Sequence, residues 1–121
     1  MLNTPAFSAP DKAEWEIIQQ LNRQSAFSQI ILLFPTDGHR VESLPPFGST
    51  LLVLDMRYLA PAHQISLLME RICTHFDSCE IILKVHPGAD WTLDIESQDS
   101  RLFRDQSWLD ADCKYILVKL G

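Results

Sequence analysis

The chain has 121 residues, 46% of them hydrophobic, and a formal net charge of −6. That length suits one domain over residues 1–121, which buries roughly two-thirds of its unfolded surface. The acidic balance, with lysine only at Lys12, Lys84, Lys114 and Lys119, argues against nucleic acid or an anionic membrane as partner. In chain order, Ser8-Ala-Pro-Asp11 reads as a helix entry, with a Ser cap and Pro in the first turn. The helix it opens turns Ala13, Ile17, Ile18 and Leu21 inward, sets Trp15 at the margin of that stripe and ends around Gln24. Gln29 to Phe34 reads as a first strand. Pro35 to Ser49 reads as a loop, too long for a tight hairpin, with Val41, Leu44 and Phe47 unusually apolar for an exposed connection.

TLLVLDMRY, from Thr50, is a nearly unbroken apolar run and reads as a strand buried on both faces. Pro61 then fits a helix first turn, and Ile65, Leu68, Met69, Ile72 and Phe76 follow on one helical stripe. CEIILKVHP is a second buried strand. Strand, helix, strand with short joins make a βαβ unit, which belongs to a parallel sheet covered by helices. Gly88 to Asp112 is acidic and mixed. A short helix is expected near Ser100 to Leu109, presenting Leu102, Phe103 and Leu109, and Lys114 to Leu120 closes the chain as a strand. The expected fold is α/β, a mainly parallel sheet of about four strands flanked by helices. No apolar run approaches the ~20 residues of a membrane span, and MLNTPAFSAPDK lacks a signal-peptide pattern, so the expected location is the cytoplasm.

Sheets of this kind carry ligands at the carboxyl ends of their strands. If the strands run parallel, Asp37 and His39, Asp55 and Arg57, and His86 and Asp90 fall near that one edge. Such carboxylates and histidines could hold a divalent metal or serve acid–base chemistry, which makes a small metal-dependent hydrolase using Asp37, Asp55, His86 and Asp90 an alternative reading. The bland alternative pairs Asp55 with Arg57 and leaves His39 and His86 in solvent. A nucleotide site fits poorly: Gly38, Gly48, Gly88 and Gly121 are isolated, none precedes Lys, and the second buried strand ends Lys84-Val85-His86 where a nucleotidase would place a magnesium carboxylate. No cofactor is expected. His63 and His75 read as structural, Trp91 and Trp108 as interface anchors or core residues, and Cys73, Cys79 and Cys113 as small hydrophobes rather than a metal or redox set.

Three stretches carry a family resemblance: WEIIQQLNRQSAFSQIILLFP, then STLLVLDMRYLAPAHQISLLMERICTHFDSCEIILKV, then the terminal CKYILVKLG. Together they resemble the bacterial cell division inhibitor SulA. The resemblance implies a RecA-like core without its phosphate loop or magnesium aspartate. It also implies production in the SOS response to DNA damage, and binding to FtsZ that blocks its polymerisation, its GTPase activity and hence septation. A protein of that kind needs a complementary surface and no active site, so the chain is expected not to be an enzyme. The family ties inhibition to an Arg before the first strand, an apolar residue at that strand's end, and a Trp and a Lys in the next connection. Here those positions fall on Ala26 flanked by Arg23, on Leu33 or Phe34, between Val41 and Phe47 where no Trp stands, and on Ser49 or Thr50. The partner-binding residues expected instead are Arg23, Phe34, Arg40, Leu44, Phe47 and Arg57, apolar anchors rimmed by Arg. Leu44 and Phe47 could equally tuck onto their own core. Lon protease and a second copy of the chain are secondary partner candidates, the family's Lon-recognised tail having no counterpart after Gly121. An adaptor subunit of another RecA-like or replication complex is a further alternative.

Overall fold

In the computed structural model, which describes residues 12–57, 62–88, 96–110 and 113–121, the branched apolar runs Gln29–Leu33 (β1), Thr50–Asp55 (β2) and Cys79–Val85 (β3) pair in parallel. Gln29 faces Thr50 in the first pair, and Asp55 faces Lys84 in the second. Every residue of β2 is buried, as expected of a strand covered on both faces. The helices are α1 (Lys12–Ser25), the single turn α2 (Gly38–Val41) and α3 (Ala62–His75). Two antiparallel strands complete the sheet, β4 (Leu102–Leu109) and β5 (Lys114–Leu120), in the order β1-β2-β3-β5-β4.

Alternation along the strands divides the core into two layers. Leu52, Leu54, Ile81, Leu83, Ile116 and Val118 face α3, packing with its Leu68, Met69 and Ile72 and with Phe76 just beyond it. Leu51, Val53, Ile82, Tyr115 and Leu117 face the opposite way, onto Ile17, Ile18 and Leu21 of α1. Lys84 shares the α1 side with Ile82 and is 7% exposed; Glu14, in the first turn of α1, is 3% exposed. Lys84 Nζ lies 2.8 Å from Glu14 Oε1 and 5.9 Å from the centre of the Tyr115 ring.

Three expectations need correction. The sheet is mixed and has five strands, not about four mainly parallel ones. Ser100 to Leu109 is not a helix: β4 pairs along β5 with an irregularity between Arg104 and Gln106. That bulge at Asp105 shifts the side-chain alternation by one residue, so the period-two signal breaks in mid-strand. Within Pro35–Ser49 the chain makes the turn α2, whose Val41 is fully buried. The expected cap at Ser8–Asp11, the role of Pro61, and Tyr58, Asp90 and Trp91 lie outside the described residues. Among the described residues no helix is long and apolar enough to cross a membrane.

α3 stops against a charged clamp. Arg101 donates from Nη2 to the Cys73 carbonyl at 2.6 Å and from Nη1 to that of Asp77 at 3.3 Å, satisfying carbonyls the helix end leaves open. Asp99 holds the guanidinium through contacts of 3.1 and 2.8 Å. The Arg101 side chain, helped by its backbone N–H, lowers the Asp99 carboxyl to about 2.

Two predictions follow from these charges. Lys84→Met strands a buried carboxylate and should cost about 3–5 kcal/mol in urea unfolding, whereas Glu14→Leu with Lys84→Met should recover most of that loss. A Glu14→Leu/Lys84→Met chain as unstable as the single variant would refute this account. The lowered Asp99 value means that its contribution is complete above the ordinary carboxylate value of 3.8 and disappears as pH falls through about 2. Asp99→Asn should therefore flatten the acid limb of the stability curve between those values while leaving the neutral region less stable. An unchanged acid limb would show that the clamp does not titrate.

Candidate functional site

The carboxyl edge of β1–β3 brings together several of the residues the sequence singled out, and Asp37, Asp55, Arg57 and His86 are engaged locally. Asp37 Oδ2 accepts from the Phe34 backbone N–H at 2.8 Å and meets Arg40 Nη1 at 3.4 Å. Arg57 donates to both oxygens of Asp55 at 3.0 Å, a bidentate pair. His86 Nε2 lies 2.8 Å from the Arg57 carbonyl, and His39 is exposed. No group of three or more His, Cys, Asp or Glu able to hold a metal ion forms among the described residues. The crossovers β1→β2→β3 step the same way across the sheet, so this part of it has no switch point at which an α/β ligand crevice opens.

A largely buried row across this edge was not foreseen. Asp55, Lys84, Tyr115 and Trp108 are successive register partners. The available signal was Lys84 itself, a cation inside the apolar run IILKV.

The amino edge presents a different surface. Phe47 is 81% exposed in the segment Pro45-Pro46-Phe47-Gly48. That segment is fastened on two sides. Gln29 Nε2 donates to the Pro45 carbonyl and to Thr50 Oγ1, both at 2.8 Å. The Ser28 backbone N–H and hydroxyl both donate to the Ser49 carbonyl, at 2.8 and 2.9 Å, and His75 Nε2 sits 2.6 Å from the Leu44 carbonyl. Gly48 has φ +84°, and a Cβ there would lie 2.7 Å from Ser28 Oγ, so the turn accepts only glycine. Beside it lies an open depression of about 320 Å³ lined by Ser49, Thr50, Ser78, Glu80, Phe103 and Lys119. Phe103 is 48% exposed, and Lys119 pairs with Glu80 at 3.9 Å and Asp105 at 3.8 Å.

The expected partner-binding residues therefore divide. Phe34, Arg40 and Arg57 stand at the carboxyl edge, engaged as described above for the two arginines. Arg23, in the last turn of α1, and Phe47 stand at the amino end of β1, about 16 Å away for a five-residue strand. Leu44 is half-buried and packs against the α3-side core, taking the tucked arrangement. Sequence reasoning missed Gln29, Ser28 and His75, which reach the loop from elsewhere in the chain.

No family model and no curated protein sequence matches the chain. Among solved structures it is similar to "Putative methyltransferase yhhF from Escherichia coli", with a TM-score of 0.48 and 5% identity over 92% of this chain and 88% of that one. Beside a neighbour so described, the expectation that the chain is not an enzyme is withdrawn. A likeness at that TM-score carries no activity or substrate to this chain.

Cys73, Cys79 and Cys113 are buried and stand in no disulfide. Burial pushes the Cys73 thiol up to about 11 and the Cys79 thiol up to about 12, far from the thiolate form a nucleophile or metal ligand needs. At pH 8 the folded protein should leave a disulfide reagent unreacted, with colour developing only as urea unfolds the chain. Rapid reaction of Cys73 or Cys79 in the folded state would overturn this reading.

Proposed function

We propose that the chain acts by binding another protein through the amino edge of its sheet, with Phe47 as anchor, and that the partner is FtsZ. The observation that carries the docking surface is an aromatic side chain left 81% exposed on a segment held by hydrogen bonds from β1 and α3. A large apolar side chain kept in water costs free energy, which burial against a partner recovers. Phe103 and the Lys119–Glu80 pair supply a second apolar contact and a polar rim. FtsZ comes from the resemblance to SulA, and the parallel β1–β2–β3 block supports the RecA-like core that the resemblance implies. On this reading the protein works in the cytoplasm after DNA damage, covering a surface FtsZ needs for polymerisation and the linked GTP turnover.

The test is sedimentation of FtsZ polymers with GTP turnover at rising ratios of this protein. Wild type should reduce both, and Phe47→Ala should weaken inhibition tenfold to a hundredfold, about 1–3 kcal/mol of binding. Unchanged pelleting at several-fold excess of wild type would remove FtsZ as the partner.

A further inference from the structure

We infer that Gln29 is a positioning residue for the Phe47 anchor, acting on partner binding through the loop it fastens; this rests on the docking reading above. Gln29 opens β1 and is half-buried. Its amide reaches back across the join with both N–H groups occupied, one by the Pro45 carbonyl and one by Thr50 Oγ1. Those two acceptors bracket Pro46, Phe47, Gly48 and Ser49, so one side chain fixes both ends of the segment that presents the aromatic ring. The neighbouring Ser28 contacts hold the same turn at Ser49 and leave Pro45 to Gln29 alone among the described side-chain bonds. Prolines at 45 and 46 restrict the backbone further, yet neither has an N–H with which to bond the loop to the sheet. Without the glutamine amide the Pro45 carbonyl is released, the nearest remaining tie on that side being His75 at Leu44, and more of the ordering of Phe47 must be supplied at the moment of binding. Preorganisation of this kind raises affinity without adding a contact.

The side-chain chemistry allows a near-isosteric test. Gln29→Glu keeps the size and loses both donors, and a carboxylate cannot bond the Pro45 carbonyl. Gln29→Ala serves as a second variant. Backbone hydrogen exchange at Phe47–Ser49 and FtsZ affinity are measured for both, alone and combined with Phe47→Ala. Either Gln29 variant should speed exchange at those amides and weaken FtsZ binding about three- to tenfold. In the Phe47→Ala background the same substitution should change affinity by less than about twofold, because nothing is left to position. An undiminished loss in that background would show a general structural role and overturn the inference, as would exchange unaltered by both variants. If Phe47→Ala itself leaves FtsZ binding intact, the docking reading fails, while the exchange measurement still reports separately whether Gln29 fastens the loop.

Discussion

The structure depends on β3 being covered on every side. Five of its seven residues pair with β2 along one edge and all seven with β5 along the other, and side chains from α3 and α1 close its two faces. Backbone amides so deeply placed are tolerable only because both edges are hydrogen-bonded, so neither neighbour can be removed without exposing polar groups inside the core. That enclosure explains why the fifth strand matters. β5 enters antiparallel, returning from the β4 connection, and seals the edge that the parallel βαβ unit leaves open.

The same enclosure dictates the treatment of Lys84. Strand alternation forces its side chain into the α1 layer between apolar neighbours, where a lone ammonium would be costly. Glu14 meets it from the first turn of α1, and the Tyr115 ring lies beside it in the next strand. A pair buried this fully contributes little net stability over an apolar substitute, but it penalises any docking of α1 that separates the charges. It acts as a register pin for a helix whose apolar stripe alone would tolerate sliding.

Most of the scaffold was legible in the sequence because burial on two faces leaves a strong trace. The runs at 50–55 and 79–85 could hardly be anything but covered strands, and the stripe from Ile65 to Phe76 fixed the helix between them. β4 was illegible for a definite reason. It lies at the sheet edge with Phe103 through Ser107 exposed, so no buried alternation marks it, and the bulge at Asp105 breaks what remains. The α2 turn is a single helical turn anchored by Val41, too short to show a period. At the candidate site, Phe47 was readable as an apolar residue in a loop, but whether it points in or out was not. Leu44 and Phe47 look alike in sequence and take opposite positions, because the carbonyl bonds that set the loop come from Gln29 and His75, far away along the chain.

Docking and any chemistry can be separate in this molecule. The six residues of β2 run about 20 Å between the Phe47 segment at its start and the Asp55–Arg57 pair at its end. A partner seated on Phe47 and Phe103 buries the amino edge, whereas ligands of α/β sheets occupy the carboxyl edge. At that carboxyl edge the visible carboxylates are spent on Arg57, Arg40 and backbone, which gives them structural employment. At the amino edge the opposite holds: the polar groups are satisfied in fixing the loop, and what they leave unsatisfied is an exposed aromatic ring. Hydrogen bonds that could have been left to water are used to hold a hydrophobic side chain outside the core. That arrangement lowers the ordering cost of association and makes sense when the ring's burial is completed by another surface.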